Sequence, residues 1–478
     1  MKFRTLAPSL GCLAVVALAE AGCTRMPRDG GAVRDQARVR ADVARRIGHE
    51  VPAPSGTSED RSLDPTARRL LEAPLTEESA VRIAVLNNRT VRGAYERLGI
   101  ARADLIQAGL IANPVLSGNA KIFSGGTEIE VGLAQPFLDL FLRPLRRRVA
   151  AADLEAAQAG VAGYLVRLAY EVRRAVVTAR AAERLLALRR HVLETAAASR
   201  DLMKSLHDAG NVVDARLTVE EVGLARARID AAEAEAAAKE AREPLNVLLG
   251  LGDGSPAWTL ADGLSDAVPE NLPPEGAETR AVAASLDLAG LKARVASAEG
   301  VACLTRRRGG LGLVEAGPVG KRESGGEWGF GPEAAVTLPL FDQGQARNLG
   351  ALASLRERQA EETAAEVEVR SAARTFRDRA TSLRDRARAL RETYLPLRAR
   401  LVQEVLQNYN AMQIGAFPVL EARQHEIDAQ REHLETLREA WTARLDLEEI
   451  LAGSLDRARL TAPGLPKEAE PPSAVGGH

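Results

Sequence analysis

The sequence predicts a mainly α-helical fold of long antiparallel α-helical hairpins, with four added β-strands suited to a membrane. Three observations carry this reading. Aromatic residues are only 3% and charged residues 27% of the 478-residue chain, while alanine takes nearly one position in five. With leucine, arginine and glutamate, that composition favours long helices joined by thin seams over a large aromatic core. Helical patterns run unbroken for about 65 residues, roughly 100 Å, far beyond a globular helix. Two shorter segments alternate with period two instead. A formal net charge of -1 leaves no strongly basic domain, which argues against a nucleic-acid binder. After the N-terminus no run of roughly 18 apolar residues occurs, so an ordinary transmembrane helix is excluded; membrane β-strands give a weaker signal.

The N-terminus reads as an export signal. Lys2 and Arg4 precede a short apolar stretch, Leu10 to Ala19, followed by small residues. Ala21-Gly22-Cys23 resembles a lipoprotein box, which makes 1–22 a signal peptide and Cys23 the acylated first residue. Glu20 stands where such a box usually has a larger apolar side chain, so a plain secretory signal with an incidental cysteine is the alternative. Thr24, in place of aspartate, favours the outer membrane. Cys12 leaves with the signal and only Cys303 accompanies Cys23, so no intramolecular disulfide is expected. A lipidated, polar linker is expected over 23–74, with prolines from Pro52 to Pro74.

A pattern then begins that returns about 200 residues later. The first repeat, 75–260, opens on a capping-box-like start at Thr76 and Ser79. Its helix continues through Val91, Leu98 and Leu105 and stops near Asn113-Pro114. A β-hairpin is expected over 115–137, then long helices with a tip near Gly210. The second repeat, 261–455, keeps the order: a helix from Glu278, a β-hairpin over 309–340, and long helices with a tip near Gly415. Ala134 to Asp139 aligns with Thr337 to Asp342. Residues 456–478 read as a disordered tail. Within the first long helix, Leu165, Leu168, Val172, Ala175, Ala179, Ala182 and Leu186 form a heptad seam whose alanines allow close approach. Arg173, Arg174, Glu183 and Arg184 read as its solvated face.

The strand segments carry one apolar side. Ile129, Val131 and Leu133 oppose Glu128, Glu130, Gly132 and Ala134; Trp328, Phe330, Val336 and Leu338 oppose Gly329, Gly331, Glu333 and Ala335. In a membrane barrel the first set faces lipid and the second water. Four strands with open edges cannot sit in lipid, so this reading also predicts an oligomer.

The duplicated plan resembles the TolC-type outer-membrane efflux proteins over nearly the whole mature chain. The segments that carry the resemblance are Leu75 to Pro114, Gln135-Pro136-Phe137, Leu338 to Asp342, Leu395-Pro396 and Tyr409 to Leu420. It implies a homotrimer, each protomer giving four strands to a twelve-stranded β-barrel in the outer membrane and helices to a coiled-coil tunnel across the periplasm. The implied partners are outer-membrane lipid, a periplasmic adaptor (membrane fusion) protein and an inner-membrane pump of the RND type. Gly210, Asn211 and Val212, with Gly415, Ala416 and Phe417, would be the adaptor-docking tips. Glu421 and Gln424 occupy the positions at which the family closes its entrance; one acid is kept and one is lost, so a Glu421 ring is implied and a double ring is not. Tyr409 to Gly415 and Trp441 to Arg444 also look like the branch found with copper and other heavy-metal resistance.

No nucleophile–base pair, phosphate loop or metal-ligand cluster stands out, so neither catalysis nor a cofactor is expected. His425 and His433, eight residues apart, read as solvated and not as ligands. Two rivals are kept: a channel for type I protein secretion, and a periplasmic coiled-coil adaptor or scaffold lipoprotein.

Overall fold

The computed structural model describes residues 31–53, 63–124, 126–252, 255–261, 263–269, 276–310, 314–415 and 417–460. The expected signal peptide 1–22, Cys23 and most of the expected tail lie outside the described residues.

Two N-terminal helices, α1 (Ala32–Ile47) and α2 (Pro65–Leu71), precede the first repeat, which runs α3 (Glu77–Asn87), α4 (Arg89–Ala108), β1 (Val115–Phe123), β2 (Gly126–Pro136), α5 (Leu138–Asp208) and α6 (Asp214–Leu249). The second runs α7 (Ala277–Ala284), α8 (Leu286–Gly310), β3 (Val314–Arg322), β4 (Gly329–Val336), α9 (Gln345–Ala389), a π-helical turn (Leu390–Tyr394), α10 (Leu395–Asn410) and α11 (Phe417–Ala452). The strands form one antiparallel sheet in the order β1-β2-β3-β4. At 71 residues, α5 spans roughly 105 Å. Among the described residues no helix is long and apolar enough to cross a membrane.

The expected polar linker over 23–74 is corrected from Ala32 onward. Val39, Val43 and Ile47 recur every four residues on α1 and are buried, the stripe of a core-facing helix. Asp35 on the same helix accepts Arg102 Nε at 2.7 Å, Arg102 Nη2 at 2.6 Å and Gln158 Nε2 at 3.0 Å, pinning α1 to α4 and α5. Asp64 caps α2 by accepting from Thr66 and Ala67 N–H. These helices join α3, α4, the middle of α5 and the end of α6 in a continuous apolar core. The tail expected from 456 is corrected likewise: Arg457–Arg459 form a 3-10 turn, and Arg457 pairs with Glu368 at 2.7 Å.

The helix expected to continue from Thr76 to Asn113 is broken at Asn88, whose extended backbone and side chain cap Thr90 N–H. Ser285 breaks the second repeat at the matching place, and its Oγ accepts from Leu288 N–H. Helix α8 runs on to Gly310, so the second hairpin starts at Val314, not Gly309. It ends at Val336, which leaves Leu338 past the strand.

The duplication is clearest where helices end. Gly250 (φ 66°) and Gly453 (φ 103°) stop α6 and α11 in the left-handed region, with matching main-chain bonds: Gly250 N–H to Val247 and Leu251 N–H to Asn246, Gly453 N–H to Ile450 and Ser454 N–H to Glu449. Asn87 Nδ2 donates to the Leu249 carbonyl at 2.9 Å and the Gly250 carbonyl at 2.7 Å. The second repeat has Ala284 at that place. There Arg46 Nη1, reaching in from α1, donates to Ala284 O at 2.7 Å and Ala452 O at 2.9 Å. The α1 helix thus closes the repeat that lacks its own asparagine.

Pro396 does not break the helix that carries it. The π-helical turn ends immediately before Leu395, and Pro396 follows it in the first turn of α10, where the change from π to α spacing accommodates a residue without an N–H.

Candidate functional site

The sheet is two-faced across all four strands, not only the two that alternate clearly in sequence. Its register places Leu133 opposite Leu116, Val131 opposite Gly118 and Gly320, and Ile129 opposite Ala120. It also pairs Gly320 with Phe330, Ala316 with Ala334 and Val314 with Val336. Directly paired residues share a face, so one side collects these apolar groups, with Arg322 opposite Ile129 and Gln135 opposite Ala316 at its two ends. The other collects Ser117, Asn119, Lys121, Glu128, Glu130, Glu315, Lys321 and Glu333, with Lys321 Nζ 2.7 Å from Glu128 Oε1. On the apolar side Ile122, Phe330 and Val336 are strongly exposed, and Trp328, just before β4, stacks on Phe330 at 6.2 Å. Among the described residues no core packs against that face. Leu338 is exposed but lies beyond the strand.

The two hairpin tips share one hydrogen-bond pattern, which corrects the pairing of Gly210 with Gly415. At the first, Ala209 N–H donates to Ser205 O, Gly210 N–H to His207 O and Asn211 N–H to Leu206 O. At the second, Ala411 N–H donates to Gln407 O, Met412 N–H to Tyr409 O and Gln413 N–H to Asn408 O. Gly210 (φ 76°) therefore corresponds to Met412 (φ 56°), a left-handed non-glycine residue that is almost fully exposed. Gly415 has no left-handed backbone, and a Cβ there would meet open space. Asn211 and Gly415 are exposed and Val212 is half-buried. Ala416 and the side chain of Phe417 lie outside the described residues. His207 Nε2 lies 2.7 Å from Asp214 Oδ1 and ties α5 to α6 across the first tip; that bond holds the imidazole pKa above its ordinary value.

Glu421 and Gln424 are exposed, one turn apart near the start of α11. Glu421 Oε1 is 3.8 Å from His425 Nε2, and Gln424 Nε2 is 3.4 Å from both Asp428 oxygens. His433, expected to be solvated, is buried beside Arg184, Leu188, Leu395 and Leu434, and burial lowers its pKa. His425 is exposed, so the two histidines do not share an environment. Among the described residues no group of three or more His, Cys, Asp or Glu side chains could hold a metal ion.

The solvated reading of Arg173 and Arg174 is also corrected. Both are buried. Arg173 Nη2 donates to Ile47 O at 2.9 Å, closing the end of α1, and its guanidinium lies over Tyr170 at 4.9 Å. Arg174 Nη1 donates to Glu449 Oε2 at 2.6 Å and Asp446 Oδ1 at 3.1 Å, joining the two repeats through α5 and α11. One guanidinium faces two carboxylates, and burial raises both carboxyl pKa values, Glu449 to about 7. Asp446 and Glu449 sit among Leu445, Leu447 and Ile450, a buried run. Acids inside such a run are the signal sequence reasoning could have used.

No family model matches the chain. Over 217 residues it is 28% identical to the cobalt-zinc-cadmium resistance protein CzcC of Cupriavidus metallidurans, a match spanning 45% of this chain and 51% of that protein. The chain thus matches about half the length of its curated relative. Similarity to solved structures extends further. A membrane protein from Pseudomonas aeruginosa superposes with a TM-score of 0.69 at 18% identity, covering 84% of this chain and 98% of that one. CusC, described with transmembrane channel formation, gives 0.69 at 16% identity, covering 85% and 99%. The Neisseria gonorrhoeae MtrE outer membrane channel in its open state gives 0.66 at 18% identity, covering 85% and 97%.

Proposed function

From a fold that it shares with outer-membrane efflux channels, we propose that the chain is one protomer of such a channel, a passive conduit and not an enzyme. Three copies would close the four-stranded sheet into a twelve-stranded barrel, and the long helices would continue it as a periplasmic tunnel. The single observation that carries this is the two-faced sheet: an uncovered apolar side, a charged side, and two unpaired edges at β1 and β4. In water the bare face would aggregate; in lipid it needs the edges joined to other copies. The tips at Gly210 to Val212 and Met412 to Phe417 would meet a periplasmic adaptor coupled to an inner-membrane pump of the RND type. Cys23 would add a lipid anchor. Similarity to a cobalt-zinc-cadmium resistance protein supports heavy-metal cations as the exported class, and a Glu421 ring at the entrance would favour cations.

Planar-bilayer recording of the purified trimer is the test. Cation-selective conductance, with loss of metal tolerance in cells lacking the chain, is expected. A soluble monomer without conductance would overturn the channel. Metal-independent loss of a secreted protein would instead favour type I secretion.

A further inference from the structure

At the foot of the sheet the structure assembles a run of arginines that the channel reading does not use. Helix α5 leaves the sheet and α8 returns to it, side by side. A Cβ at Gly300 would lie 2.6 Å from Val149 Cγ2, one at Gly290 3.7 Å from Ala159 Cβ, and one at Gly163 3.7 Å from Leu286 Cβ. Continued toward the sheet, this antiparallel register sets Arg306 beside Arg143 and brings Arg307 and Arg308 level with the first turns of α5. Arg147, Arg148, Arg306, Arg307 and Arg308 are all exposed, and none forms an ion pair among the described residues. Two acids near this level are engaged: Asp139 lies 3.7 Å from Arg146, and Asp342 3.0 Å from Arg347.

Arg147 and Arg148 lie on the apolar side. Phe137 continues the odd-numbered set of β2, its N–H bonded to Val314 O. Phe137, Phe141 and Arg148 recur at spacings of four and seven on one helical stripe, with Leu140 and Arg147 beside it. Phe141, Leu340 and Phe341 are strongly exposed. In α5 the Cα–Cβ bonds tilt toward the helix N-terminus, so the side chains of Arg147 and Arg148 reach back toward the sheet. Strand face, exposed aromatics, then unpaired cations is the order of a bilayer edge.

We propose that this collar binds the anionic headgroups of the periplasmic leaflet of the outer membrane, and so fixes how deeply the barrel sits. The proposal rests on the membrane placement of the sheet argued above. Its test reconstitutes the full-length trimer in phosphatidylcholine vesicles with about a third phosphatidylglycerol, and measures the lipid retained on extraction. Wild-type protein is expected to enrich phosphatidylglycerol at least about fivefold, an effect that salt screens. The variant R147Q/R148Q/R306Q/R307Q/R308Q is expected to lose that preference while its conductance stays unchanged. Equal retention of both lipids by the wild type, or enrichment indifferent to molar salt, overturns the collar even if the variant does not assemble. Competition by millimolar inorganic phosphate marks a general anion site and overturns the lipid as occupant. Failure of the wild type to insert removes both proposals, whereas insertion without lipid preference removes only this one.

Discussion

Arg174 Nη1 lies 2.6 Å from Glu449 Oε2, a buried ion pair that joins the first repeat to the second. The same nitrogen also serves Asp446 at 3.1 Å, so one cation faces two carboxylates. Charge balance then favours a proton on one of them. Glu449 titrates at about 7 in the fold against 4.5 ordinarily, so between those values the native state binds the extra proton and the unfolded chain does not. Stability therefore rises as pH falls through about 7 and stops rising below 4.5. Thermal melts of the protein should show this slope, and Glu449→Gln should flatten it; an unchanged slope would assign it to other groups.

Removing the cation is expected to be more severe. Arg174→Met leaves two buried acids without a partner, a loss of about 3–5 kcal/mol. Denaturant titration should show a lowered midpoint, with partial recovery when Asp446→Asn and Glu449→Gln are added.

At the end of α11, a Cβ at Gly453 would lie 2.2 Å from Ala284 O and 2.5 Å from Arg46 Nη1, on a backbone with φ 103°. Gly453→Ala is therefore expected to push α1 off the second repeat. Arg46→Ala strands the carbonyls of Ala284 and Ala452, at a cost of about 1–3 kcal/mol. Hydrogen exchange along α1 should accelerate in both, and protection equal to wild type would contradict the clamp.

The two sheet faces should answer differently to one substitution. Val131→Arg puts a charge among apolar groups and should cost about 2–4 kcal/mol in a bilayer. Asn119→Arg, opposite Glu130 on the charged face, should cost little. Refolding into vesicles measures both; equal penalties would argue against the face assignment.

At the first tip the raised pKa of His207 comes chiefly from its bond to Asp214. Its contribution is fully present below the ordinary value of 6.5 and is lost as pH rises through the raised one. Amide exchange at 208–214 should quicken across that rise, and Asp214→Asn should weaken the dependence, leaving the smaller part owed to Asp208. Substituting a bulky residue at Gly415, where a Cβ meets open space, should leave the fold intact while weakening capture of the proposed adaptor; undiminished capture would remove Gly415 from the proposed docking tip.

Much of the fold was legible in the sequence because its signals are local. Heptads in α5, alternation in β2 and β4, and the turn at Gly210 each depend on neighbours within a few residues. The tip at Met412 was not legible, since a left-handed methionine carries no compositional mark. Nor was the helical character of 32–47, which reads as polar until its stripe of Val39, Val43 and Ile47 meets a core to bury it.

The sequence by itself therefore determined the repeat, the long helices and the two-sided strands, because periodicity is written along the chain. Only the tertiary structure decided that Arg174 is buried against Glu449, that Arg46 stands in for the asparagine missing from the second repeat, and that four strands align their apolar sides. Those facts depend on which distant segments meet. The energy of a charge is set by its surroundings, and no local pattern of residues states what those surroundings will be.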